Sequence, residues 1–461
     1  MKYKFFLWNI IFFVLGISLS YGIYRISRHV KRLKIEAQFG LPPITTISLD
    51  STNLPIMLVN TDGRRILRDS VITARMTIID NGNGLYNYID TILHPTQNID
   101  YDGYIALRYR GNTSFAGSLK KPYAIRAIDM PIEMGGAKIK SQLLGMKKGK
   151  KWVLLAPYSD RSMIRDALTF ELARNYMEYV PQTRFCEVIL NGVYMGVHIL
   201  TEQITADRLK IGKPNKKGND KTGGYLFEID RRVKDNEKNW PDGLILHSPE
   251  KDKLTSEEKQ YVLSLWSGVD RVLTYGRRNE WLKLVDELSF IDFQLVEEFA
   301  YNVDGYNNST FLYKYSNIDD GRLRMVVWDF NGTYGNCNIG DGWVTDNWHY
   351  KRVIPSWWSH MTENEEYRAR LKERWRQYRN ESYSNHNIEQ VIDSLANLLV
   401  SGGAEGRNGR AWKMWHCAEG DGPTYAWPNK YVSSSYNDEI DYLKNWIWKR
   451  LEWMDKELLY E

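Results

Sequence analysis

Residues 299–336 read FAYNVDGYNNSTFLYKYSNIDDGRLRMVVWDFNGTYGN, and this stretch decides the expected fold and the candidate site. The segments STFLYKY and LRMVVWDF are rich in apolar and aromatic residues, so they predict the two strands of a β-hairpin. Asp304 precedes the hairpin in a loop rich in asparagine, and Asp329 ends its second strand. Two carboxylates at the ends of one hairpin can meet above the same cleft.

Such a pair suits phosphoryl transfer, in which one carboxylate holds Mg²⁺ on the phosphates and the other orients or deprotonates the attacking hydroxyl group. Asparagine and aspartate oxygens fit Mg²⁺ better than zinc. The alternative is that both aspartates only cap turns, because Asp, Asn and Gly favour turns. Spacing alone leaves both interpretations open.

The chain changes character on either side of this stretch. Before it, residues 51–230 are rich in short strand patterns, with a hairpin signal at Asn191-Gly192 and one amphipathic helix at 162–177. Later helices are predicted at 255–275, 279–287, 290–303, 363–378, 387–400 and 437–460. This order predicts an α+β chain with a strand-rich first lobe at 51–230, a helix-rich second lobe at 231–461 and a ligand crevice between them.

The composition indicates a globular protein. The chain has 461 residues, of which 43% are hydrophobic and 26% charged, so a large core is expected. The net charge of +5 is small, and Lys and Arg are spread along the chain, so we expect no nucleic-acid partner. The 17 tryptophans and 30 tyrosines predict aromatic core packing, with an aromatic platform for sugar or peptide as the alternative.

Cysteine and histidine spacing excludes several classes of site. Cys186, Cys337 and Cys417 are too far apart for a metal knuckle, and we expect free thiols, with one wide disulfide as the alternative. The sequence has no GxSxG or HExxH motif, and its eight histidines show no metal-ligand spacing. A hydrolase is therefore not expected.

The amino terminus predicts a membrane or export segment. Residues 5–24 are nearly all apolar and match the roughly 20 residues that a membrane-spanning helix needs. We favour an anchor at 1–24 over a cleaved signal peptide, followed by a juxtamembrane linker at 25–50. More basic residues follow this segment than precede it, which on the positive-inside rule leaves the body in the cytoplasm. An exported body is the alternative, so a location in the cell envelope is expected with its side left open.

Longer blocks of the chain, from about residue 50 to its end, resemble the CotH kinase family, which includes spore-coat proteins that phosphorylate coat partners on serine. The blocks are RGNTS, KKPYAIRA, LLGMKKGKKWVLLAPYSDRSMIRDALTFELARN, RFCEVILNGVYMGVHILTEQI, GGYLFEID, NVDGYNNSTF, VVWDFNGTYGN, IPSWWSHM, RLKERWRQYRN and LKNWIWKRLEWMDKEL. That family is similar in fold to eukaryotic protein kinases. The resemblance implies a bilobal kinase-like fold that transfers phosphate from ATP, with Mg²⁺, to serine or threonine of a protein acceptor.

The resemblance also implies roles for four acidic residues. Asp304 matches the catalytic-loop aspartate, and Asp329 matches the metal-binding aspartate of the Asp-Phe-Gly element. Glu171 would lie on the helix that corresponds to kinase helix C, and Glu202 would lie near the hinge.

The resemblance further implies that the strand KKPYAIRA supplies the cation for the α and β phosphates. Lys121 is the first choice, and Arg126 is the alternative because it lies where the third-strand lysine of a kinase would fall. Their opposite strand parity lets at most one of them face the nucleotide from a regular strand. Arg110 and Asn112 are further candidates for phosphate contacts.

The sequence also departs from the kinase pattern. It has no GxGxxG loop, and Asn302-Val303-Asp304 stands in place of His-Arg-Asp. Ser309 occupies the position of the second metal-binding asparagine, so Asn308 and Asn331 become the candidate metal ligands. The alternative function is therefore a catalytically weak or inactive, pseudokinase-like scaffold, or a glycan-binding or partner-binding protein of the cell envelope.

Overall fold

The structure is a computed structural model that describes residues 41–460 except 83, 213, 215–219, 236, 238–239 and 416–430. The apolar segment 5–24 and most of the expected linker lie outside the described residues, as does Cys417. Within the described part, no helix is both long enough and apolar enough to cross a bilayer.

The first half of the described chain is built from strands. They are β1 (Ser51–Thr52), β2 (Ile56–Asn60), β3 (Ile72–Ile79), β4 (Asn87–Tyr88), β5 (Ile99–Tyr109), β6 (Tyr123–Ile128), β7 (Trp152–Leu155), β8 (Thr183–Leu190) and β9 (Val193–Glu202). Seven of them close into a barrel in the spatial order β2-β3-β5-β6-β7-β9-β8. The two-residue strands β1 and β4 pair with each other outside it.

The barrel closes because β2 pairs in parallel with β8, while the other neighbouring strands pair in antiparallel. Strands β8 and β9 form the hairpin predicted at Asn191-Gly192, whose φ angles of 50° and 79° suit a tight hairpin turn. The strand-rich character of this half is confirmed, but its closure was not predicted. Ile56 pairs with Glu187, and a contact at that separation leaves no local pattern in the sequence.

A second sheet holds β10 (Tyr225–Ile229), β11 (Leu244–Ser248), β12 (Thr310–Lys314) and β13 (Leu323–Val326) in the order β11-β10-β12-β13. All its pairs are antiparallel, and β12 with β13 is the hairpin predicted from the opening stretch. Strand β10 precedes the expected lobe boundary at residue 230 yet pairs with β12 beyond it. This sheet therefore joins the two parts of the chain.

The helices agree in position with most of the sequence prediction. They are α1 (Thr113–Ala116), α2 (Arg165–Ala173), α3 (Ser256–Tyr275), α4 (Arg278–Trp281), α5 (Glu287–Ala300), α6 (Trp357–Glu363), α7 (Glu365–Asn380), α8 (Asn385–Val400), α9 (Ala404–Trp412) and α10 (Tyr436–Asp455). Helix α3 begins with a capping box between Thr255 and Glu258, which satisfies otherwise unpaired backbone donors. The mixed α+β class is confirmed.

Two apolar cores hold the molecule together. One fills the barrel, and the other lies between α2, the second sheet and the helices of the second half. The aromatic residues pack as expected, since six tryptophans of the described chain are fully buried: Trp152, Trp281, Trp357, Trp358, Trp375 and Trp412. Cys186 and Cys337 are buried free thiols.

Candidate active site

A cleft with a volume of about 520 Å³ lies between the barrel and the second sheet. Its walls come from the β5–β6 loop, the first turn of α2, the second sheet and the loops on either side of the β12–β13 hairpin. Its charged and amide lining groups include Arg110, Asn112, Asp166, Glu228, Asp230, Arg232, Asp304, Asp329 and Asn331. A concave site with a few convergent polar groups is the usual form of a ligand pocket.

The hairpin brings the two predicted aspartates into this cleft. Asp304 lies in the loop between α5 and β12, and Asp329 lies just after β13. The buried amide of Asn302 ties the two loops together. Its Oδ1 accepts a hydrogen bond from the Asp304 backbone N–H at 3.2 Å, and its Nδ2 donates to the Asp329 backbone carbonyl at 3.3 Å.

Each of these carboxylates has one oxygen held and one oxygen open. Asn308 Nδ2 donates to Asp304 Oδ1 at 2.9 Å, and Ser309 Oγ donates to Asp329 Oδ2 at 2.9 Å. Among the described residues, none donates a hydrogen bond to Asp304 Oδ2 or Asp329 Oδ1. The open oxygens are therefore available to a ligand while the held oxygens fix the side chains.

The backbone at Asp329 and Ser309 is unusual. Their φ angles are 70° and 48°, in the left-handed region that non-glycine residues rarely occupy. Such conformations cost free energy and cluster at functional sites. Here they place the Ser309 hydroxyl against the Asp329 carboxylate.

Oxygen atoms near the two aspartates match the ligand preference of Mg²⁺. Asn308 Oδ1 is buried without a hydrogen-bond partner beside Asp304. Asn331 lines the cleft, and its Nδ2 donates to Ser159 Oγ at 3.2 Å. Within the described residues, no group of three or more His, Cys, Asp or Glu side chains could hold a metal by itself. The donor set therefore fits a cation that takes its remaining ligands from phosphate and water.

Arg110 is the cation of the barrel wall of the cleft. Its guanidinium lies 5.6 Å from the centre of the Trp328 ring, and no described residue accepts a hydrogen bond from it. Burial lowers the pKa of Arg110, and the charges of Asp329 and Glu228 oppose this shift. An arginine held in this way suits a phosphate group.

The loop between β5 and β6 covers the same end of the cleft, and Lys121 fixes its shape. The lining includes Gly111, Asn112 and Gly117, and Gly111 has a φ of 83° that favours glycine. Lys121 Nζ donates to the backbone carbonyls of Phe115 at 2.6 Å and Ser118 at 2.5 Å. Its ammonium group is thus committed to the loop and does not line the cleft.

The structure keeps three other predicted side chains out of the cleft. Arg126 lies on the outer face of β6, and Glu171 is exposed and pairs with Arg174 at 3.3 Å. Glu202 is buried and pairs with Arg208, although the two residues that follow it do line the cleft. Asn112 does line it, and its Oδ1 accepts a hydrogen bond from Arg68 at 2.7 Å.

Four charged residues of the cleft were not predicted from the sequence: Asp166, Glu228, Asp230 and Arg232. Asp166 lies in the first turn of α2, where a helix favours negative charge, and its Oδ1 accepts a hydrogen bond from the Phe330 N–H at 2.7 Å. Asp230 follows β10 and binds Arg232 through Nε at 2.8 Å and Nη2 at 3.0 Å. The signal for Asp230 was present, because the strand GGYLFEID ends in a carboxylate just as the strand before Asp329 does.

Two acidic side chains of the cleft, Asp304 and Asp166, have raised pKa values. Burial raises the pKa of Asp304, and repulsion from Asp329 adds to the shift while Arg232 opposes it. Burial, together with the charge of Asp329, raises the pKa of Asp166 to about 8. A carboxylate whose pKa is raised is a stronger base near neutral pH.

The fold and the site define an α+β protein whose cleft combines paired carboxylates, amide oxygens and a free arginine, which is a set of groups suited to phosphate chemistry. A family model described as CotH kinase protein matches residues 107–454, most of the chain. The chain therefore belongs to the CotH kinase family, as its sequence blocks predict. A comparison with curated proteins finds no match to this chain.

Proposed function

We propose that the protein is an atypical serine/threonine protein kinase that transfers the γ-phosphate of ATP to a protein acceptor. The observation that carries this proposal is the pair of open carboxylate oxygens, on Asp304 and Asp329, in one cleft that Arg110 also lines. Membership of the CotH kinase family supports it. On this proposal the barrel and the second half act as the two lobes of a kinase-like fold.

The nucleotide would lie along the whole cleft. Gln203 and Ile204, just after β9, line the cleft together with Phe311 and would flank the base, in the place of a hinge. Arg110 and the β5–β6 loop would hold the phosphates. Arg232 lines the same cleft and interacts electrostatically with Asp304 and Asp329, so it would stabilise negative charge where transfer occurs.

Asp329 would hold Mg²⁺ together with the amide oxygens of Asn308 and Asn331. The cation, when bound, supplies neutralisation of charge on the phosphate oxygens. Asp304 would orient the acceptor hydroxyl and take its proton as the new oxygen–phosphorus bond forms and the bond to the β–γ bridging oxygen breaks.

Nucleotide binding by the full-length chain tests this proposal. A nucleotide at about 100 times its Kd should stabilise the protein by roughly 2.7 kcal/mol, which a thermal-shift experiment resolves. We expect a shift that needs both ATP and Mg²⁺, followed by γ-phosphate incorporation into serine peptides. Asp329→Asn should lose both.

Asp319→Asn is the matched control, because Asp319 is exposed in the turn of the same hairpin and does not line the cleft. It should behave like the unmodified chain. No shift at millimolar ATP, or a shift that survives Asp329→Asn, would sink the proposal. A magnesium-dependent shift without any phosphate transfer would favour the non-catalytic alternative.

A further inference from the structure

The outer face of β5, β6 and β7 carries a group of cations beside the cleft. Ile125 is paired with Trp152, and both are buried inside the barrel. Side chains alternate along a strand, so the next residues, Arg126 and Lys151, lie side by side on the outer face. Lys138 joins them, because Ile128 at the end of β6 is bridged to it. We call Arg126, Lys138 and Lys151 the basic surface.

This surface is continuous with the cation of the cleft. Leu107 and Tyr109 of β5 are buried, so Arg108 and Arg110 alternate with them on the outer face of the barrel. Arg126 pairs with Ala106, four residues from Arg110. Four strand residues span about 13 Å, and an extended peptide covers that distance in about four residues.

The three cations have no hydrogen-bond or ion-pair partners in the part of the chain that the structure describes. Among the described residues, none accepts a hydrogen bond or forms an ion pair with the side chain of Arg126, Lys138 or Lys151. The nearby Lys140 differs, since it pairs with Asp207 at 2.9 Å. Glu250, the acidic group that faces the surface, is paired with Lys253.

Holding these groups together costs free energy. Arg126 and Lys151 are half-buried, and burial lowers the pKa of Lys151, with repulsion from Arg126 and Lys138 adding to the shift. Burial and repulsion from Arg108 lower the pKa of Arg126 in the same direction. Like charges without counterions are locally unfavourable, and such conflicts are expected where a ligand supplies the missing charge.

The lysines of this region account for the positive charge of the chain. Residues 138–151 contain six lysines and no acidic residue. Lys and Arg occur along the whole sequence, but without these six lysines the formal net charge of +5 would become −1. A segment with this bias attracts anions over several ångströms.

We propose that the basic surface binds an acidic segment of the protein acceptor and thereby selects substrates with Asp, Glu or phosphorylated residues at least four positions from the serine or threonine. The proposal rests on the kinase function proposed above. The basic surface lies on the same barrel face as Arg110, and this position favours a peptide that also enters the cleft. The half-burial of Arg126 and Lys151 disfavours a flat lipid surface.

The test compares serine peptides with four glutamates, placed four to seven residues before or after the serine, with peptides that carry glutamines instead. For the full-length chain we expect kcat/KM to be about fivefold higher with one of the acidic peptides, as a few partly exposed ion pairs would give. The advantage should fall to less than twofold in the Lys138→Gln, Lys151→Gln double variant and should weaken with added salt. The KM for ATP should stay unchanged.

Lys372→Gln with Lys449→Gln is the matched control, because these lysines lie on α7 and α10, and it should keep the preference. Equal transfer to acidic and neutral peptides would overturn the proposal while leaving the kinase function intact. If no peptide is phosphorylated, fluorescence anisotropy without ATP still decides, because tighter binding of the acidic peptide must depend on Lys138 and Lys151. Loss of phosphatidylserine-vesicle binding in the double variant, with no peptide preference, would assign the surface to a membrane and overturn the proposal.

Discussion

The two walls of the cleft differ in charge and in the way their groups are held. On the wall from the second half, Asp304 and Asp329 are each fixed by a neighbouring side chain, and Asn302 ties their loops together. On the barrel wall, the Arg110 guanidinium lies against the Trp328 ring, and no described residue accepts a hydrogen bond from it. The carboxylates are therefore preorganised, whereas the hydrogen-bonding groups of Arg110 remain available to a ligand.

This contrast predicts a division of labour. Preorganised groups contribute most to the chemical step, because they need no rearrangement during the reaction. A free cation contributes most to binding, because the ligand provides its missing hydrogen bonds. Substitutions on the two walls should therefore affect different kinetic constants.

The largest effect is expected from Asp304→Asn. The amide keeps the size of the side chain but cannot take the proton of the acceptor hydroxyl, so kcat should fall by about 10²- to 10⁴-fold. The ATP-dependent thermal shift should remain, because the barrel wall and Asp329 are unchanged. If the variant kept more than half of the transfer rate, Asp304 would not be the base that takes the proton of the acceptor hydroxyl.

The next effect concerns the support behind the acidic wall, where His349 packs against Tyr301 and Tyr306. Burial lowers the pKa of His349 to about 4. Because the folded-state pKa lies below the ordinary value of about 6.5, stability is lost as pH falls from about 6.5 to about 4. The loss should be on the order of 3 kcal/mol, measured by urea denaturation at both pH values.

His349→Gln removes this titration, so the stability of the variant should change less over the same pH range. The exposed His386 offers the control, and His386→Gln should retain the full dependence. An equal acid sensitivity in both variants would show that another group behind the carboxylates is responsible.

Arg110→Ala should weaken nucleotide binding by roughly tenfold to a hundredfold, since a hydrogen bond to a charged group contributes about 1.5–3 kcal/mol. The measurement is calorimetric titration with ATP and Mg²⁺. Arg110→Lys should restore part of the affinity, because the charge remains but the planar fork is lost. An unchanged Kd for ATP would indicate that Arg232, and not Arg110, contacts the phosphates. The barrel wall would then have no special role in nucleotide binding.

The sequence predicts the acidic wall better than the barrel wall, for a physical reason. Asp304 and Asp329 flank one hairpin, so a local pattern is sufficient to bring them together. The barrel wall depends on which face each strand turns to the cleft, and that is set by a closed sheet with the distant pairing of β2 and β8. Strand parity alone allowed either Lys121 or Arg126 to face the nucleotide.

The acidic residues of α2 show the same limit of prediction from local sequence. The family resemblance assigns Glu171 to the helix that corresponds to kinase helix C, but α2 ends at Ala173 and Glu171 is exposed. Asp166, one turn earlier, reaches the cleft because the Phe330 N–H needs an acceptor there. A contact between residues so far apart in the chain is a property of packing and not of periodicity.

The smallest effect on binding is expected from Lys121→Met, which tests whether the barrel wall has a second cation. Among the described residues, Lys121 donates only to the carbonyls of Phe115 and Ser118, so its loss should loosen the loop and leave buried acceptors unpaired. We expect a loss of about 1–3 kcal/mol in unfolding free energy, and an increase of only about threefold in the Kd for ATP. If affinity instead falls as far as in Arg110→Ala with stability unchanged, Lys121 itself contacts the phosphates, and the barrel wall is preorganised like the acidic one.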